Sequence, residues 1–157
     1  MTAAPFTIAV ESPRSPDIEA ILDASLRYTM SLYPPESWSV ISIDELDSTH
    51  VRVHVAREPE GQALGMVAVV ERAHDWVEIK RLFVTEAARG RGVAARLLEA
   101  AEADVRGAAI PLVRLETGPK QQAAIRLYER SGYTEIPAFG SYAGDPNSVC
   151  FEKVLSA

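Results

Sequence analysis

The sequence predicts an α/β fold of the α+β kind: a mixed central sheet, mostly antiparallel, flanked by helices. Two observations point there. The runs "VRVHVARE", "ALGMVAVVER" and "VEIKRLFV" follow one another with only short turns between them, and each reads as a strand. The run "VAARLLEAAEADVRG" is helical in pattern and lies between two strand-like segments, so it must act as a crossover joining parallel strands. With 157 residues and 47% hydrophobic content, the chain suffices for one buried core and is short for two, so residues 1–157 read as a single domain.

The elements follow in order. "FTIAV" alternates as a first strand, and "SPDIEAILDASLRYTMSLY" is a helix with Ser15 at its N-cap, Pro16 at the first helical position and acids in the early turn. Pro34 and Pro35 end it. "SIDELDS" holds a short helical turn before "VRVHVARE", and Gly61 marks the hairpin into "ALGMVAVVER". "HDW" then turns the chain into "VEIKRLFV". The crossover helix ends near Gly107, a strand runs from Leu112 to Thr117, "KQQAAIRLYERSG" is a helix closed by Gly132, and "SVCFEKVL" is the last strand.

Composition narrows the function classes. A formal net charge of −6 opposes broad nucleic-acid binding, which needs a basic surface to displace counterions. No uncharged apolar run approaches the roughly 20 residues of a membrane span, and the N-terminus lacks a secretory pattern. A single cysteine, Cys150, excludes an intramolecular disulfide and fits a reducing, cytoplasmic setting; it reads as a buried strand residue. His50, His54 and His74 lack metal-ligand spacing, so no metal is expected. A homodimer is compatible with the sequence.

The stretch "VTEAARGRGVAARLLEAAEA" carries the strongest local signal. A helix N-terminus has unpaired N–H groups and about half a unit of positive charge. Gly90 and Gly92 remove side chains that would keep an anion away, and Arg89 and Arg91 add charge, so the turn reads as a pyrophosphate cradle. It lacks the Gly-Lys-Ser/Thr ending of the P-loop and the G-x-G-x-x-G fingerprint of dinucleotide folds. A turn capped by solvated arginines is the alternative.

"RGRGVA", in which Arg89, Gly92 and Ala94 match Q/R-x-x-G-x-G/A directly after a strand, resembles the acyl-CoA loop of the GNAT superfamily of N-acetyltransferases. "AAIRLYERSGY" resembles that superfamily's helix-to-strand segment with its catalytic tyrosine, and the element order is similar from about Phe6 to Leu155. "LYPPES", "EIKRLFV", "LETG" and "GYTEIPAFGSYAGDPNSVCFEK" resemble a bacterial group whose substrates are mostly unassigned. The resemblance implies a GNAT-like sheet that splays between its two parallel strands, with acetyl-CoA in the gap. Its contacts would be the backbone of Leu82, Phe83 and Val84, the turn Arg89, Gly90, Arg91, Gly92, Val93 and Ala94, and Gln121, Ala124 and Tyr128 on the following helix. Gln121 stands where many members have asparagine.

Acetylation of an amine needs a neutral nitrogen. A lysine-type amine is neutral about once in 2,500 molecules at pH 7, whereas an α-amino group near pKa 7.8 needs only about 1 kcal/mol. Glu78 occupies the strand position of the general base in several members and, by simple alternation, shares a face with Lys80, Leu82 and Val84; an acid paired with Lys80 or Arg81 is the alternative. Tyr128 shares a helical face with Gln121, Ala124 and Ile125 and would assist the departing thiolate; a core aromatic is the alternative. Tyr33, Glu36 and Trp38 on the proline-stiffened loop, with Tyr142 and Ser148 opposite, are candidates for the amine pocket. The implied function is direct acetyl transfer to a primary amine of a small molecule or amino acid. A non-catalytic acyl-CoA-binding module and an acetyltransferase acting on a protein amine are the rivals.

Overall fold

The computed structural model describes residues 5–155. Seven strands form one sheet in the order β1-β2-β3-β4-β5-β7-β6. These are β1 (Thr7–Glu11), β2 (Val51–Arg57), β3 (Ala63–Ala73), β4 (Trp76–Val84), β5 (Leu112–Thr117), β6 (Thr134–Ile136) and β7 (Val149–Val154). All neighbours are antiparallel except β4 and β5, the pair joined by the crossover helix. The helices are α1 (Pro16–Leu32), α2 (Ile43–Leu46), α3 (Val93–Gly107) and α4 (Gln122–Arg130).

The sheet is buried on both faces. On one, Val93, Leu97, Leu98, Ala101 and Val105 of α3 and Leu127 of α4 pack against Val67, Val69, Val77, Ile79, Val113 and Leu115. On the other, Ile18 and Ile21 of α1 and Leu46 of α2 cover Val53, Val55, Met66, Ala68 and Val70. Each such aliphatic side chain contributes about 1.5–3 kcal/mol by leaving water. This explains why the central strands read as apolar runs.

Two features depart from the sequence reading. The three-residue strand β6 lies between Gly132 and Pro137, too short a span for alternation to be visible. More consequential is β4, which does not alternate uniformly. Met66 and Ala68 of β3 face Phe83 and Lys80, so β4 holds one extra residue there, and Arg81 takes a left-handed φ of 54°. Val77 and Ile79 face α3; beyond the bulge Leu82 and Val84 face it too, while Phe83 joins the α1 side. Glu78 therefore does not share a face with Leu82 and Val84.

Beside the bulge the parallel ladder stops. β4 pairs with β5 from Trp76–Leu112 to Ile79–Leu115, and the edge of β4 from Lys80 onward has no β5 partner. The sheet splays there, as expected. Gly65 of β3 holds the far side of this segment: a Cβ on it would lie 2.7 Å from the Phe83 carbonyl oxygen and 3.2 Å from Val84 Cα, both backbone atoms. Gly65→Ala should therefore destabilise the fold by about 1–3 kcal/mol, read as a lower denaturant midpoint with unchanged slope.

Candidate active site

A cavity of about 790 Å³ runs through the splay. At one end lie Arg89, Gly90, Gly92, Val93 and Ala94 at the start of α3. Gly92 is the N-cap, with φ 77°, and Gly90 has φ 84°; a Cβ on either would meet nothing within 4 Å, so the space above both is open. Among the described residues no side chain caps α3, and no acid sits in its first turn, so its leading N–H groups and partial positive charge are left open at the cavity. The alanine- and leucine-rich sequence behind supplies the helix itself.

Along the cavity the wall is formed by Leu82, Phe83 and Val84 of β4, Ala124, Leu127 and Tyr128 of α4, and Gln121. Gln121 is not part of the helical face expected for it. It is the N-cap of α4, and its side-chain carbonyl accepts from the Gly118 N–H at 3.1 Å. Tyr128 is buried against Tyr133 and Phe151, and its hydroxyl makes no hydrogen bond to any described residue. Burial pushes its pKa well above the ordinary tyrosine value, so the phenol keeps its proton and remains a donor.

The opposite end is polar and tied together. Glu78 is 3% exposed. One of its oxygens accepts from Arg72 at 2.9 Å and 2.8 Å, and the other accepts from the Tyr142 hydroxyl at 2.5 Å. Lys80 donates to Ser39 Oγ and to the Tyr142 hydroxyl, each at 2.8 Å. Burial pulls the Lys80 ammonium below its ordinary range, partly opposed by Glu78. Glu116, near the open end of β5, accepts from Ser148 Oγ at 2.8 Å. Burial pushes its carboxyl up to about 7, against the pull of Ser148 and Lys80.

Loops roof this end. Ser37 donates to Asp145 at 3.1 Å and accepts from Asn147 Nδ2 at 3.1 Å. Tyr33 accepts from the Lys120 N–H at 3.0 Å, and its ring lies so close to Gly118 that a Cβ there would meet the hydroxyl at 1.9 Å. The loops after α1, after β5 and before β7 thus meet over the cavity.

The structure brings most of the sequence candidates to this one space: Glu78, Leu82, Phe83, Val84, Arg89, Gly90, Gly92, Val93, Ala94, Gln121, Ala124, Tyr128, Tyr33 and Tyr142. It keeps others off the wall. Arg91 pairs with Glu58 and stacks over Phe6. Glu36 is exposed and does not line the cavity. The Trp38 indole N–H donates to the Tyr33 carbonyl, bracing the loop, and Ser148 acts through Glu116. Polar wall residues that the sequence reading did not name as site candidates include Ser39, Lys80, Arg81, Glu116 and Asn147. The quoted "LETG" contained Glu116, but only the end of the β4–β5 ladder reveals that its side chain faces an open gap.

Comparison with known proteins places this architecture. Residues 18–133 match the model of the acetyltransferase (GNAT) family. The chain is 36% identical over 150 residues to an IAA acetyltransferase of Azospirillum brasilense, covering 95% of this chain and 97% of that protein. A Klebsiella pneumoniae structure, provisionally described as an acyl-CoA N-acyltransferase, superposes with a TM-score of 0.83 at 33% identity, over 98% of this chain and 100% of that one. A GNAT acetyltransferase of Elizabethkingia anophelis with acetyl-CoA bound shares the fold, with a TM-score of 0.70 at 15% identity over 96% of this chain and 98% of that one.

The Glu116 environment has a measurable consequence. Its carboxyl titrates higher in the folded chain than the ordinary 4.5, so the folded state holds that proton more tightly. The resulting stability is fully present below about pH 4.5 and is lost as pH rises to about 7. Glu116→Gln should remove that loss, up to about 3 kcal/mol, when urea-unfolding free energies are compared across this range.

Proposed function

The chain belongs to the GNAT acetyltransferase family, and from that premise we propose that it transfers an acetyl group from acetyl-CoA directly to a primary amine of a small molecule or amino acid. One observation carries the reading: a single cavity links the glycine turn at the head of α3, through the parted strands, to the roofed polar pocket at Glu116 and Tyr142. The residues present fit acetyl-CoA. The turn offers unspent N–H groups above two glycines for a pyrophosphate, and the free edge of β4 offers backbone groups for pantetheine amides. When bound, acetyl-CoA supplies an acetyl group activated as a thioester.

The residues around it divide the remaining work. Both oxygens of Glu78 are engaged, by Arg72 and by Tyr142, which suits it to anchoring the pocket. Glu116 has one oxygen on Ser148 and a carboxyl poised near neutrality, which suits it to take the proton of the attacking amine. In the proposed step the nitrogen forms a bond to the acetyl carbon, the carbon–sulfur bond breaks, Glu116 receives the amine proton and Tyr128 hydrogen-bonds the departing sulfur. A base near pH 7 matches an amine of pKa near 8 within about one unit, but lies over three units below a lysine-type amine. Holding both partners in one slot contributes several kcal/mol more to lowering the barrier. The hydrogen bonds that join Ser37 to Asp145 and Asn147 close the roof and favour a small acceptor over a protein side chain.

Thiol release measured over a panel of amines with acetyl-CoA tests the assignment. Saturable binding of coenzyme A without release from any amine would instead indicate a binding module. Tyr128→Phe should lower kcat about 10- to 100-fold while leaving the calorimetric affinity for acetyl-CoA nearly unchanged. Glu116→Gln should lower kcat/KM about 100-fold and abolish its acidic limb near pH 7. If Glu78→Gln abolishes that limb and Glu116→Gln does not, the base is Glu78.

A further inference from the structure

Of the buried and half-buried cations at the pocket end, Arg81 is the one with no carboxylate partner among the described residues. Arg72 is joined to Glu78. Lys80 is held by Ser39 and Tyr142 and lies 3.7 Å from Glu78. Glu116 accepts from Ser148. Arg81 is half-buried on the cavity wall; its one hydrogen bond goes to the Ser39 carbonyl, and among the described residues it has no carboxylate partner. A guanidinium carries five N–H donors in a planar fork, and burying it without an opposite charge is unfavourable. Arg89 and Arg130 on the same cavity are exposed, and Arg89 also stacks over the Phe83 ring.

Its backbone makes the position notable. Arg81 occupies the bulge of β4 at a φ of 54°, a conformation that non-glycine residues seldom adopt and that tends to mark functional positions. Burial pulls the guanidinium below its ordinary range, opposed through space by Tyr142 and then Glu116, the latter without an ion pair. Arg81 and Glu116 thus stand on β4 and β5, on the two sides of the splay.

We infer that the acceptor is an amine that also carries an anionic oxyacid group, a carboxylate in the first instance, and that Arg81 selects it through its free donors. The amine half rests on the acetyl-transfer reading; the anion half rests on the unpaired guanidinium. An ammonium toward Glu116 and a carboxylate toward Arg81 match the pocket at both ends, and a carboxylate's two oxygens suit the arginine fork.

The test is binding, measured by calorimetry on the full chain saturated with coenzyme A, with thiol release from acetyl-CoA followed separately. The ligands are the standard amino acids, each paired with its own carboxamide, and the corresponding 1-aminoalkylphosphonates. At least one acid should bind about 10- to 100-fold more tightly than its amide. Arg81→Gln should abolish that difference while leaving coenzyme A affinity unchanged, and Arg81→Lys should retain part of it. A phosphonate that binds more tightly than its carboxylate would identify the anion as the phosphonate. The inference is overturned if no acid in either series outbinds its amide in the unmodified protein, or if Arg81→Gln preserves the preference. Loss of coenzyme A affinity in Arg81→Gln would also overturn it, by assigning the residue to the cofactor. A retained preference without thiol release from any ligand would sink acetyl transfer and leave the anion site standing.

Discussion

The parting of β4 from β5 beyond Ile79 and Leu115 is the constraint on which the rest of the structure depends. Two parallel strands in the middle of a sheet would ordinarily continue their ladder, because an unpaired buried edge costs free energy. Here Arg81 adds a residue to β4 beside the point of parting, while β5 continues to Thr117 in register with β7. The opening is held by what surrounds it. The cluster built on α3 takes Leu82 and Val84, α1 takes Phe83, and Tyr33 seats against Gly118 beyond the end of β5.

The same bulge sorts the chemistry. Before it, Glu78 and Lys80 face the pocket roofed by Ser39 and Tyr142; after it, Leu82 and Val84 turn toward α3 and α4, where Tyr128 lies. An apolar channel thereby adjoins a charged pocket along one strand. The glycine turn at the head of α3 closes the channel with N–H groups that no described side chain satisfies. These unspent donors belong with the family assignment, since a helix left uncapped there sacrifices local stability for an open anion site.

Glu78 and Glu116 illustrate how surroundings separate two like groups. Glu78 is enclosed by a guanidinium and a phenol and has no free oxygen. Glu116 has a single hydroxyl donor and a carboxyl raised by burial to about 7. Environment, more than residue type, divides roles between paired carboxylates. Arg81 extends the logic: it is half-buried in the wall with no carboxylate partner among the described residues.

Much of this was legible in the sequence because it depends on neighbours along the chain. Alternation marked β2, strand-like runs between short turns marked β3 and β4, the crossover required a parallel pair, and Gly90 and Gly92 marked the turn at the helix start, since conformational freedom at a turn is a local property. The place of Tyr128 on the cavity wall was legible through helical spacing together with the resemblance of its segment. What only the tertiary structure decided depends on contacts between distant segments. A bulge changes the parity of a strand without changing its composition, so the faces of Leu82 and Val84 were not readable. Glu36 and Trp38 belonged to a loop whose orientation is set by Asp145 and Asn147 more than 100 residues away. Glu116 and Arg81 acquired their character from burial and from the partners they have or lack, and burial is a property of the assembled fold.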